Sequence, residues 1–186
     1  MFKNIIFTGV VSLSVLAMAG CSSYDVRNFN PDVVASHNVA MHVHKNIAVG
    51  SFTMPGGKDN NKMMCRMAGN VYLPNKMTYS QYIRHAFESQ LIAANHYSDN
   101  SNNANHTILG EITKAQFSSV SGKWTISGNM QVDQNPTVSV TSVTDFGTSF
   151  VAESACKDVA DGFETATQQF VSKVLSTSEI LEELNR

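Results

Sequence analysis

Few side chains in this sequence have chemistry to offer. Cysteine occurs at Cys21, Cys65 and Cys156. His37, His42 and His44 lie close together and are followed by Met54, Met63, Met64, Cys65 and Met67. Imidazole, thioether and thiolate in one stretch are ligands that suit copper. The spacing matches no zinc pattern, and a disulfide at Cys65 would remove the thiolate. Core methionines beside solvated histidines are therefore the expectation, and no metal is assigned.

Covalent and acid–base chemistry find no better footing. Gly-x-Ser-x-Gly is absent, and Ser127-Gly128 sits inside a strand-like run, not at a sharp strand-to-helix turn. Asp158, Asp161 and Glu164 decorate one helical stretch, and Glu179, Glu182 and Glu183 another, as solvated faces do. His85 and His96 read as surface residues on the polar side and at the end of a helix. Pro55-Gly56-Gly57-Lys58 lacks the spacing of a phosphate-binding loop. The expectation is a protein that is not an enzyme and carries no cofactor.

The N-terminus carries an address. Lys3 is followed by an apolar run from Ile5 to Ala19, then the small residues Ala19 and Gly20 before Cys21. This is the pattern of a secretory signal over residues 1–20. The run is about 15 residues, short of the roughly 18 to 20 that a membrane span needs. Met18-Ala19-Gly20-Cys21 resembles the lipobox of bacterial lipoproteins, with Met18 where that family usually has Leu. The resemblance implies cleavage before Cys21 and acyl chains on Cys21, and two or more chains hold a protein firmly on a bilayer. Ser22, in place of the aspartate that marks inner-membrane retention in such proteins, implies the outer membrane, with the domain in the periplasm. An ordinary cleaved signal with Cys21 in a disulfide is the alternative.

If Cys21 carries lipid, Cys65 and Cys156 remain as a pair in an oxidising compartment, where a disulfide is expected; two buried free thiols are the alternative. Closing that loop would stabilise by about 4 to 5 kcal/mol in the chain-entropy model.

Loss of residues 1–20 removes Lys3, so 12 basic residues face 15 acidic ones, a net charge of −3. With no block of Lys or Arg, nucleic acid is excluded as an expected partner. Arg66, Arg84 and Lys76 form at most a small basic spot. Charged residues are only 15% of the chain, so the surface is built from Ser, Thr and Asn.

The elements that must position these residues follow from periodicity. Residues 21–44 read as a lipidated N-terminus and tether, setting the domain roughly 25 Å off the membrane, with Val33, Val34, Val39 and Val43 available for an edge strand. Residues 45–186 read as a single domain. Ile47 to Phe52 is a strand, residues 55–61 a loop, and Met67 to Leu73 a second strand. Thr78-Tyr79-Ser80-Gln81 is a capping box opening an amphipathic helix over 79–94, with Asn95 as its left-handed stop.

Ser98 to Asn105 is an exposed loop. Thr107 to Phe117, Lys123 to Asp133 and Thr137 to Phe146 then form an antiparallel meander, in which Trp124, Ile126, Gly128, Met130 and Val132 mark the dry face. A second long helix begins near Phe150 and carries Cys156 beside its apolar stripe. Ser176-Thr177-Ser178-Glu179 is a second capping box opening a short terminal helix.

The predicted fold is α+β, a two-layer sandwich with a mainly antiparallel sheet and two long helices on one face. That order of elements, over roughly residues 45–175, is similar to the ABC-type transport auxiliary lipoproteins. The expected function is a lipid-anchored, periplasm-facing accessory of an envelope transport or assembly system, gripping a protein partner by an open sheet edge or by the wet sheet face. The alternative is a small-molecule or lipid-binding module with a pocket lined by Phe87, Trp124, Phe163 and Phe170. A copper-binding lipoprotein is the third reading.

Overall fold

The computed structural model describes residues 22–186 in the order β1 (Ser22–Asp25), α1 (Val33–His42), β2 (Ile47–Thr53), β3 (Lys62–Cys65), β4 (Gly69–Tyr72), α2 (Tyr79–Ala93), β5 (His106–Ser118), β6 (Lys123–Val132), β7 (Val138–Asp145), α3 (Ala152–Leu175) and α4 (Ser178–Leu184). The signal stretch and Cys21 lie outside the described residues. The fold is α+β. Its larger sheet has the order β2-β5-β6-β7, antiparallel except for the β2–β5 pair, and a smaller sheet has the order β1-β4-β3.

The alternation in β6 explains why the larger sheet has one dry face. Trp124, Ile126, Met130 and Val132 are buried, while Thr125, Ser127, Asn129 and Gln131 point the other way. Helices α2 and α3 cover the dry face and meet each other through Tyr79, Tyr82 and Phe163. Trp124 packs against Phe163 with tilted rings 4.7 Å apart, and its indole N–H donates to Val159 O of α3 at 2.9 Å. A Cβ at Gly128 would lie 3.2 Å from the Phe170 ring, so α3 rests close on the sheet there.

The start of α2 is fixed as its sequence implies. Thr78 Oγ1 accepts from Gln81 N, and Gln81 Oε1 accepts from Thr78 N at 2.9 Å. Asp59 adds a second clasp, its carboxylate accepting from Ser80 N at 3.0 Å and from the hydroxyls of Thr78 and Ser80. Asn95 ends the helix at φ 61°, with His96 N donating back to Leu91 O.

Helix α3 contacts both sheets. The β3–β4 hairpin is joined to it by a disulfide between Cys65 and Cys156, with Cα atoms 5.8 Å apart and a sequence separation of 91.

The expected tether is folded instead. Ser22–Asp25 runs parallel to β4, in register from Ser22 with Gly69 to Asp25 with Tyr72, and Val26 and Phe29 enter the core. Helix α1 is capped by Asp32, whose Oδ1 accepts from Ala35 N at 2.6 Å. The buried side chain of Gln90 on α2 holds that first turn, donating to Asp32 O and Ser36 Oγ and accepting from Asp32 N. Polar Ser-Ser-Tyr-Asp has no alternation to betray a strand. In α1, Val33, Val34 and Met41 face outward while Ala35, Ser36 and Val39 are buried, which scrambles the helical stripe.

Two smaller expectations also give way. The strand expected over Met67 to Leu73 is the second half of the β3–β4 hairpin, with Met67 in the turn. The capping box expected at Ser176 is not made, because the hydroxyls of Ser176 and Thr177 both donate to Lys173 O and close α3; α4 begins after Thr177 without a side-chain cap.

Candidate interaction surface

The face of the larger sheet away from the helices is laid out by the outward half of each strand's alternation. Across it, hydroxyls and amides form a cross-strand ladder. Thr141 Oγ1 donates to Ser127 Oγ at 2.9 Å, Ser139 Oγ to Asn129 Oδ1 at 2.8 Å, and Asn129 Nδ2 to Glu111 Oε1 at 3.3 Å. A shallow hollow of about 300 Å³ on this face is lined by Ser51, Leu109, Glu111, Asn129, Gln131 and Thr137. Such a surface offers hydrogen bonds in register with a strand or loop, and its charges are of both signs, Glu111 on β5 and the Lys123–Asp145 pair across β6 and β7.

The two edges of the sheet differ. Along β2, Arg84 of α2 donates from Nε to Gly50 O at 2.8 Å and from Nη2 to Val49 O at 3.0 Å, while Glu88 holds the guanidinium at 2.8 Å. The start of the same strand is covered by residues 96–98, with Ile47 N donating to His96 O and Ser98 N to Ile47 O. Along β7, Lys173 Nζ donates to Thr141 O at 2.7 Å, and no strand lies beyond β7 among the described residues. An edge of this kind recruits strands.

At one end of the fold Arg66 joins three loops. Its Nε donates to Ser119 Oγ at 2.9 Å, Nη2 to Ser119 O at 2.5 Å and Nη1 to Ser149 O at 2.8 Å. Arg66 and Arg84 thus serve separate sets of carbonyls and do not form one basic spot. Both roles escape a reading of the sequence, because each arginine reaches carbonyls far away in the chain.

The aromatic residues expected to line a pocket fill the space instead. Phe87, Trp124, Phe163 and Phe170 are buried and in ring contact, Phe87 with Phe170 and Trp124 with Phe163. The nearest alternative is a groove of about 420 Å³ between β3 and β5, lined by Met54, Met63 and Met64 with Lys58, Lys62 and Lys114.

The residues weighed as copper ligands are dispersed. His37 and His42 belong to α1, His44 follows it, Met67 is in a turn, and Cys65 is in the disulfide. Among the described residues no group of three His, Cys, Asp or Glu is placed to hold a metal. No helix among them is long and apolar enough to cross a membrane.

Burial pushes the phenols of Tyr79 and Tyr82 far above the usual range, and the charge of Glu164 adds to the effect on Tyr82, whose hydroxyl donates to Arg27 O at 3.0 Å. Both belong to the core under α2, away from the open face.

What the fold defines is a small α+β module with one polar sheet face left uncovered among the described residues. No family model matches the chain, and no curated protein does. Among solved structures it is similar to a Xanthomonas campestris protein assigned to the family DUF330, at a TM-score of 0.58 and 12% identity over 87% of this chain and 97% of that one. A crystal structure of an uncharacterized protein aligns at a TM-score of 0.48 and 10% identity, over 82% of this chain and 99% of that one. The likeness is one of fold.

Proposed function

We propose that the protein is a lipid-anchored accessory of an envelope transport or assembly system, held on the outer membrane through Cys21 and facing the periplasm, where it grips a protein partner. The carrying observation is the unequal finish of the sheet. The β2 edge is closed by Arg84 and residues 96–98, whereas β7 and the hydroxyl–amide face beside it are left open. The lipobox-like Met18-Ala19-Gly20-Cys21 supports the anchor. A solid aromatic core beneath the helices supports protein binding over a pocket for a small molecule.

The test is a photo-crosslinking amino acid placed at Thr141 or Val143 in the full chain in cells, with Lys45 as the control site. A discrete protein adduct at the two β7 sites and none at Lys45 is expected. Adducts that are absent, or alike at all three sites, sink the reading.

A further inference from the structure

The first residue after Cys21 is already part of the fold. Ser22 pairs with Gly69, one ladder spacing or about 5 Å across. Gly69 closes the turn Arg66-Met67-Ala68, so Ser22, the residue that follows Cys21 in sequence, and this turn share one end of the described fold. Arg66 brings the β5–β6 turn and the β7–α3 connection to the same end through its bonds to Ser119, Ser149 and Phe150. The hollow between them, about 260 Å³, is lined by Arg66, Val120, Thr148, Ser149 and Phe150.

This end carries apolar side chains in water. Met67 is 93% exposed, Val120 81%, Phe150 106% and Val151 57%. Apolar residues gathered at one place and left uncovered mark a contact surface. Local stability does not account for Met67: Arg66 and Met67 hold φ of 47° and 55°, a turn that favours Asn-Gly and strains any other side chain. The loops at residues 66–68, 119–122 and 147–151 contain no acidic residue, and Arg66 is their one charge. The exposed Val33, Val34 and Met41 lie on α1, which packs chiefly on α2.

We propose that this rim is a bilayer-contacting surface, with Met67, Val120, Phe150 and Val151 lowered into the boundary between headgroups and acyl chains of the membrane that carries the anchor. The inference rests on the reading of Cys21 as lipidated. It makes the anchor and the fold two contacts with one membrane, so the domain stands on the bilayer at a fixed attitude.

Trp124 is the chain's one tryptophan and is buried, which makes an added tryptophan a clean reporter. The full lipidated chain carrying Met67→Trp or Phe150→Trp is reconstituted in phosphatidylethanolamine–phosphatidylglycerol vesicles with brominated acyl chains. The added emission is expected to fall by about half, while Asn103→Trp, in the loop at the other end of β5, changes by less than about a tenth. Reporters at residues 67 and 150 that behave like the one at residue 103 overturn the proposal.

Met67→Gly is expected to raise the melting temperature by about 2 to 4 °C while halving the quenching at Phe150→Trp. A lowered melting temperature would assign Met67 to the fold and overturn its assignment to the membrane. Labelling with a palmitate analogue, in the wild type and in Cys21→Ser, separates the two readings. Label missing from the wild type removes the anchor, whereas label present without quenching removes the rim alone.

Discussion

Edges β2 and β7 of the larger sheet face the same hazard and are finished differently. At β2 the carbonyls of Val49 and Gly50 are covered by an arginine that Glu88 holds in place, and the strand's first residue is bridged to Tyr97. At β7 one lysine reaches one carbonyl. An arginine fork engages two acceptors with little freedom left, whereas a lysine is a mobile point charge that discourages casual pairing and moves aside for a partner that offers more. The contrast separates an edge sealed by its own fold from an edge that is covered at one carbonyl.

Alkali should break the closed edge most completely, because α2 carries both Arg84 and the buried phenols Tyr79 and Tyr82. Their folded pKa values are raised above the unfolded value of 10.0. Their contribution to stability is therefore full below about pH 10 and is lost as pH rises through the folded values. Tyrosinate absorbance and circular dichroism should show a late fraction of tyrosine ionising together with loss of helix. Ionisation of all tyrosines near pH 10 with the helix signal intact would contradict the packing under α2.

The open edge can be loosened from its end. Gly122 has φ 61°, and a Cβ there would lie 2.3 Å from Phe146 O, just where Phe146 N donates to Gly122 O to close β6 on β7. Gly122→Ala should cost about 3 kcal/mol from strain and clash, read as a lowered urea midpoint. Arg84→Ala should cost about 1 to 2 kcal/mol, allowing for its partial exposure, and should turn β2 into a second sticky edge with concentration-dependent association by light scattering. If the variant stays monomeric, the arginine is not what closes that edge. Val143→Lys should change stability by less than about 0.5 kcal/mol yet abolish the β7 crosslinks.

How much of this was legible depends on how local each signal was. The capping box at Thr78 and Gln81, the alternation in β6 and the stop at Asn95 are written within a few residues, and each stands where its pattern placed it. Strand β1 and helix α1 escape a reading of the sequence because their order comes from elsewhere: β4 supplies the hydrogen bonds of β1, and Gln90 steadies the first turn of α1. Hairpin β3–β4 was half seen, since its turn lacks the Asn or Gly that announces one. The edge seal and the Arg66 clasp had no sequence signature, because an arginine that binds distant carbonyls looks like any surface arginine.

The 91-residue span between Cys65 and Cys156 bears on biosynthesis. On the proposed lipid-anchor reading, export would deliver the chain from its N-terminus, so that Cys21 and then Cys65 would reach the oxidising side well before Cys156. During that interval the partner within reach of Cys65 is the wrong one. On the proposed lipid-anchor reading, thioether formation at Cys21 takes that thiol out of circulation first, and Cys65 waits for the helix that completes it. Lipid attachment then acts as a timing step for oxidation as well as an anchor, and a Cys21→Ser chain would be relieved of the mispairing along with the membrane.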